Sequence, residues 1–190
     1  MTQANQAQKF QIKLFLENPE GLDLAAVIPV FHDLIREKQL PELLIDVADY
    51  AHVHQGPGVV LIGHGYDLYL DLREGRPGLL FNRKRDAEGG VEAVLNQGLD
   101  ILLRAAARLE ERLPIRVGTE RVQIRAIDRL RTPNCDETHA FLQPIVSKVA
   151  SRLGAVKESV RGPAGREAYT LELSVDGGKR PSELIAEVAA

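Results

Sequence analysis

Two histidines, His52 and His54, stand two residues apart in the segment DVADYAHVHQGPGVVLIGHGYDLYLDL. On a β-strand this spacing makes both imidazoles project from the same face, because successive side chains alternate between faces. Two neighbouring imidazoles can bind one divalent metal ion, with a third ligand from His64, from Asp46 or from a facing glutamate. A divalent metal on His52 and His54 is therefore one hypothesis for this segment.

Binding of a small molecule is a second hypothesis for the same hairpin. Asp46 and Tyr50 share the predicted strand face with the two imidazoles and can fix a histidine tautomer by hydrogen bonding. Tyr66 and Asp71 on the following strand can complete a polar pocket. The candidate ligand-binding residues are therefore Asp46, Tyr50, His52, His54, His64, Tyr66 and Asp71.

The hairpin also has a purely structural interpretation, because histidines at hairpin ends often face water or bond to the backbone. A loop over 55–58 would place His64 on the face opposite to His52 and His54, and a slip of one residue would place it on the same face. The turn Gly56-Pro57-Gly58 leads into an apolar, β-branched run. A phosphate-binding loop must lead into a helix, so this pattern favours a tight turn.

Cys135 and His139 are a second pair of potentially reactive side chains, in the segment TPNCDETH. A thiol at a helix N-terminus has a lowered pKa, which is a physical route to nucleophilic reactivity. The sequence provides no evident group to orient His139, and NCDET is typical of a helix cap. We therefore favour a structural cap over a catalytic cysteine.

Hydrophobic periodicity predicts the elements that position these side chains. Alternation of Phe10, Ile12, Leu14 and Leu16 predicts a half-buried strand, and apolar spacing of three and four residues after Asp23 predicts a helix. Further strands are predicted at 43–50, 59–63, 66–72, 78–81, 120–127, 156–160 and 168–175, and further helices at 91–113, at 136–153 and after Pro181.

The two halves of the chain share matches in the same order. The matches are FQIK (10–13) with VQIR (122–125), the helix containing Pro29 with that containing Pro144, the turn 56–58 with 162–165, and YLDL (69–72) with TLEL (170–173). Their order favours an internal duplication, although any two segments of this type share strand and turn composition. We predict an α+β fold of two tandem β-α-β-β units, ferredoxin-like, with helices covering one face of an antiparallel sheet.

The predicted organisation is a disordered tail over 1–8, a first unit with an extended β-meander and a long helix over 9–114, and a second unit with a short C-terminal helix over 115–190. The sheet face without helices must be solvated or covered by a second copy or a partner. We therefore expect a small-molecule-binding or self-association module, with a homo-oligomer as the natural assembly. The alternative is a metal-dependent or histidine-based enzyme that uses the hairpin.

The amino-acid composition excludes several classes of protein. A chain of 190 residues with 44% hydrophobic residues and a net charge of −3 fits a globular protein without the basic patch that nucleic acids or anionic membranes require. The polar N-terminal segment does not resemble a secretory signal, and no apolar run approaches the roughly 20 residues of a membrane span. The single cysteine excludes an internal disulfide and fits a reducing compartment. We expect a cytoplasmic protein that binds neither nucleic acid nor membrane.

Overall fold

The alternating segment near the N-terminus forms strand β1, Phe10–Leu16, in the middle of an antiparallel sheet. The structure is a computed structural model that describes residues 3–189. The remaining elements are helix α1 (Leu24–Arg36), strands β2 (Leu44–Tyr50), β3 (Gly58–Gly63), β4 (Tyr66–Asp71) and β5 (Gly78–Arg83), helix α2 (Val91–Arg112), strand β6 (Val117–Ala126), helix α3 (Asp136–Ala150), strands β7 (Ala155–Arg161) and β8 (Tyr169–Asp176), and helix α4 (Pro181–Ala189).

The eight strands follow the order β2-β3-β4-β5-β1-β6-β8-β7, and every neighbouring pair is antiparallel. This arrangement confirms an α+β fold with an antiparallel sheet. It does not confirm tandem ferredoxin-like units, because residues 9–114 contribute five strands, where a β-α-β-β unit has three. The predicted boundary after residue 114 falls between α2 and β6, and pairing of β1 with β6 joins both segments in one sheet.

The helices pack on one face of the sheet, where their apolar side chains and those of the strands form a continuous core. Helix α2 lies close to the sheet at Gly98, a buried residue of its apolar face. A Cβ atom there would lie 2.7 Å from Cε1 of Phe81 and 3.0 Å from Cδ1 of Ile12. Glycine at this position thus lets the helix backbone approach β5 and β1.

The opposite face, which we call the helix-free face, is partly covered by residues 72–77, the loop between β4 and β5. Arg76 in this loop lies 4.0 Å from the ring centroid of Phe15 on β1 and forms hydrogen bonds with Glu172 on β8. Glu74 accepts a hydrogen bond from Arg125 on β6. The chain therefore covers the centre of this face with its own loop.

The N-terminal segment is packed where the structure describes it. Residues Gln3–Gln6 form a short 3-10 helix, and Ala4 and Ala7 are buried. This part of the segment thus differs from the expected disordered tail, and residues 1 and 2 lie outside the described residues. Within residues 3–189, no helix has both the length and the apolar character needed to cross a membrane.

Candidate functional site

The two histidines of the hairpin lie in an exposed loop. Strand β2 ends at Tyr50, which pairs with Gly58, so residues 51–57 form the connection to β3. His52 and His54 in this loop are exposed. The expectation that they continue the face of the strand is wrong, because the ladder of strand hydrogen bonds ends before them.

The register of the hairpin separates His64 from the other two histidines. Leu44 pairs with Gly63 at one end of the β2–β3 ladder, and His64 follows directly in the turn to β4. Since a strand rises about 3.4 Å per residue, His64 lies roughly 20 Å along the hairpin from the loop 51–57. The structure therefore does not bring the three histidines together.

The other residues predicted to join the histidines in a site also lie apart from them. Tyr66 is buried in the core, where its hydroxyl donates to the carbonyl of Pro41 at 2.7 Å and burial raises its pKa. Asp71 is buried on the helix-free face. Asp46 is exposed on β2 and accepts a hydrogen bond from the backbone N–H of Val47. Among residues 3–189, no group of three or more His, Cys, Asp or Glu side chains is arranged to hold a metal ion.

The pair Cys135 and His139 is divided between two sets of contacts. Cys135 is the N-cap residue of α3, and its Sγ lies 3.5 Å from Oγ1 of Thr138. The polar groups of Thr138, its backbone first and its hydroxyl second, lower the pKa of the thiol. Nδ1 of His139, however, lies 3.0 Å from the hydroxyl of Tyr169, so the imidazole contacts a phenol and not the thiol.

Asp71 belongs to a buried ion-pair cluster on the helix-free face. The ammonium of Lys13 lies 2.7 Å from Oδ2 of Asp71, and Nε of Arg73 lies 2.5 Å from Oδ1. The side chains of Lys13 and Asp71 are only 5% and 3% exposed, and desolvation lowers the pKa of Lys13 while Asp71 opposes that shift. Lys13 passes over Gly78 to reach Asp71: a Cβ atom at Gly78 would lie 2.9 Å from Cε of Lys13.

Beside this cluster the helix-free face opens into a groove with a volume of about 570 Å³. We call it the sheet groove. Strands β1, β6 and β8 form its floor, the β4–β5 loop bounds one side, and residues 162–168 between β7 and β8 bound the other. Its lining residues are Gln11, Glu74, Gln123, Arg125, Ile127, Val160, Gly162, Pro163, Glu167, Ala168, Thr170 and Glu172.

Strand pairing places the polar residues of the floor side by side. Gln11 pairs with Arg125, which pairs with Thr170. One row along, Gln123 lies between Lys13 on β1 and Glu172 on β8. Residues opposite each other on neighbouring antiparallel strands stand about 5 Å apart, so the rows form a continuous polar surface.

Most charged groups of the sheet groove are held by ion pairs. Arg76 donates two hydrogen bonds of 2.8 Å to the carboxylate of Glu172. These bonds, together with the charges of Arg76 and Arg121, lower the pKa of Glu172. Arg125 donates to Glu74 at 2.6 Å, while its Nε is enclosed by the protein and has no hydrogen-bond partner within residues 3–189. These ion pairs of the groove are therefore made within the protein itself.

Sequence reasoning did not single out Gln11 or Gln123 as site residues. The available signal was the pair of matching segments FQIK and VQIR, in which polar residues alternate with strongly apolar ones. In a central strand such residues must face away from the core, so two of these strands side by side give a polar patch. Comparisons with protein-family models, with curated proteins and with solved structures gave no match.

Proposed function

We propose that this protein is a small-molecule-binding module whose ligand lies in the sheet groove. The observation that carries this proposal is the convergence of polar side chains from three adjacent strands on one groove. Its volume of about 570 Å³ falls within the roughly 300–1,000 Å³ of known ligand pockets. Apolar walls with a few fixed polar groups are the usual composition of such pockets.

The groove favours a ligand with many hydrogen-bonding groups and little net charge. Its arginine and two of its glutamates already form ion pairs, Arg125 with Glu74 and Glu172 with Arg76. What remains for a ligand is mainly the carboxamides of Gln11 and Gln123 and the lone pairs of the Thr170 hydroxyl, which itself donates to the carbonyl of Ala168. Carboxamides both donate and accept hydrogen bonds, which suits a sugar, a nucleoside or an amino-acid amide.

The positions of these groups are fixed before a ligand arrives. Nε2 of Gln11 donates to Oδ1 of Asn82 at 3.1 Å, which orients the amide and leaves its oxygen available. Gln123 is only 7% exposed on a central strand. Groups fixed in this way lose little conformational entropy on binding, so their hydrogen bonds contribute more to affinity.

An internal duplication is part of this proposal, because it accounts for the pair of carboxamides. In the matching segments, Gln11 corresponds to Gln123 and Lys13 to Arg125. The antiparallel register pairs Gln11 with Arg125 and Lys13 with Gln123, around the central pair of Ile12 and Ile124. This exchange of equivalent residues is what a local two-fold axis between two copies of one strand would produce, and it supports the idea that both amides derive from one ancestral position.

The other predicted functions have less support. His52 and His54 lie in an exposed loop, and among residues 3–189 neither belongs to a group of three potential metal ligands, so an enzyme or metal site on the hairpin remains only a prediction. The loop 72–77 already covers the centre of the helix-free face, which weakens the original reason for expecting a homo-oligomer. Self-association also remains a prediction, which light scattering can test.

Calorimetric titration with glucose, adenosine and glutamine tests the proposed function. We expect at least one of these probes to bind saturably, and Gln123→Leu to weaken that binding about tenfold, since an unmade hydrogen bond in a polar site costs this much. Gln143→Leu is the matched control, because Gln143 donates to Ser147 within α3 on the helical layer. No saturable binding, or equal losses in the two variants, would contradict the proposal.

A further inference from the structure

A second groove lies on the helical side of the molecule, between α1, α2 and α4. Its volume is about 560 Å³. Leu34 and Leu40 are buried in its wall, and the half-buried Ala107 and Ile185 line it as well. We call it the helix groove. It shares no lining residue with the sheet groove.

Most charged groups at the helix groove are engaged with one another. Arg108 lies 3.0 Å from Glu37 and 2.7 Å from Glu111. Glu110 accepts a hydrogen bond of 2.8 Å from the backbone N–H of Val117. These contacts tie the carboxylates of the groove to positive or N–H groups of the protein itself.

Two arginines of the same groove are left without such partners. Arg104 on α2 and Arg180 before α4 line the groove, and within residues 3–189 neither side chain forms an ion pair or a hydrogen bond. Both side chains are exposed at its rim. The groove therefore combines an apolar wall with two guanidinium groups that form no ion pair within residues 3–189.

We propose that the helix groove binds an amphipathic anion, with its carboxylate or phosphate at Arg104 and Arg180 and its apolar body against Leu34, Leu40 and Ile185. Guanidinium groups match the geometry of carboxylate and phosphate oxygens and bind both with charge-assisted hydrogen bonds. The apolar body gains affinity by leaving water for the wall of the groove. A neutral apolar molecule would contact only the apolar wall, and a small inorganic anion would bind only the two arginines.

Calorimetric titration with decanoate, decyl phosphate and decanol separates these contributions. We expect one or both anions to bind saturably and decanol to bind at least tenfold more weakly. Arg104→Ala/Arg180→Ala should weaken anion binding at least tenfold and leave decanol binding unchanged. The tighter of the two anions then identifies the preferred head group.

A matched control and a blocking variant complete the test. Arg85→Ala/Arg129→Ala removes the same charge from two exposed arginines that also form no ion pair within residues 3–189, and it should bind the anions as the wild type does. Ala107→Glu places a carboxylate in the groove and should abolish binding of all three probes. Circular dichroism melting checks that each variant folds.

Four results would overturn the inference. The first three are the absence of saturable anion binding to the wild type, equal losses in the two double-arginine variants, and a dimer in light scattering that Ala107→Glu dissociates. The dimer would assign the groove to a second copy of the chain. The fourth concerns Gln123→Leu, which alters only the sheet groove. If this variant lost anion binding, the anion would not bind in the helix groove.

Discussion

The two halves of the helix-free face carry similar polar residues but use them differently. Over β4, β5 and β1, Asp71 is enclosed by Lys13 and Arg73, and the loop 72–77 covers the cluster. Over β6 and β8, with Gln11 of β1 at the edge, Gln123 and Thr170 line an open groove. We call these regions the sealed half and the open half.

The difference indicates how one sheet face can both stabilise the fold and bind a ligand. Arg76 and Glu74 of the covering loop reach across to Glu172 and Arg125, and thereby engage charges of the open half. The loop thus closes one half and sets the charge balance of the other. Substitutions in the sealed half should change stability, while those in the open half should change binding.

The largest effect on stability is expected from Asp71→Ala in the sealed half. This substitution leaves Lys13 buried without its carboxylate, and removal of one partner of a buried ion pair costs about 3–5 kcal/mol. Urea unfolding measures the loss. Glu167→Ala is the control, since Glu167 is exposed in the open half, and we expect its free energy of unfolding to stay within about 0.5 kcal/mol of wild type.

The double variant Lys13→Met/Asp71→Leu sharpens this prediction. Replacing a buried ion pair with apolar side chains of similar volume is often neutral or stabilising, so we expect most of the loss to be recovered. If Asp71→Ala were no less stable than Glu167→Ala, the sealed half would not stabilise the fold.

The next largest effect is expected from Gly78→Ala. The new methyl group would contact Cε of Lys13 at 2.9 Å as well as the backbone of Leu14, so the lysine or the strand must move. Such overpacking typically costs about 1–3 kcal/mol, which thermal and urea unfolding can measure. Gly162→Ala is the control, because a Cβ atom there would lie 3.4 Å from the side chain of Thr170, an ordinary contact distance. Equal stability of the two variants would contradict the proposed route of Lys13.

Strand β1 and helix α2 show how much of the fold the sequence predicts. The alternation of Phe10 to Leu16 and the apolar stripe around Gly98 predict β1 and α2, because local periodicity reports which face is buried. The partners of β1 are not local. Its place between β5 and β6 depends on pairing over distances of about seventy and one hundred and ten residues, as in Gln11 with Asn82 and Gln11 with Arg125. No pattern within a strand encodes that choice.

The hairpin of β2 and β3 shows the same limit for the candidate site. The apolar runs on both sides of Gly56-Pro57-Gly58 predict two strands correctly, but the end of the ladder at Tyr50 depends on pairing with Gly58. A difference of a few residues in loop length moves His52 and His54 off the strand. The sheet groove, in turn, depends on the fold of residues 72–77 across three strands, which the loop sequence alone does not reveal.

A smaller effect is expected where the two halves are connected, at Arg76. Arg76→Gln removes a partly exposed ion pair with Glu172, which contributes about 1 kcal/mol or less. Arg76 lowers the pKa of Glu172 in the folded protein, so the contribution is complete above the unfolded value of about 4.3 and is lost as the pH falls through the folded pKa. NMR titration of Glu172 should show its pKa rise in the variant.

The control for this titration is Arg116→Gln. It removes an ion pair that does not involve Glu172, in which Nε of Arg116 lies 3.7 Å from Oε2 of Glu17. We expect it to leave the pKa of Glu172 at its wild-type value. A Glu172 pKa that does not change in Arg76→Gln would show that the loop does not set the charge balance of the open half.

The smallest effect on stability is expected from His52→Ala/His54→Ala. Both imidazoles lie in the exposed loop 51–57, so the free energy of unfolding should change by less than about 0.5 kcal/mol. Urea unfolding together with metal analysis of untagged protein checks this expectation. Stoichiometric metal in the wild type that is lost in the variant would return the hairpin to consideration as the functional site.

The most direct test of the sheet groove is an NMR titration of ¹⁵N-labelled protein with glucose, adenosine and glutamine. Binding in the groove predicts that the backbone amides whose chemical shifts change cluster on β1, β6 and β8 and in residues 162–168. The chemical shifts of the amides in the loop 51–57 should not change. Saturable shifts confined to the amides around His52 and His54, with the groove unaffected, would contradict the account.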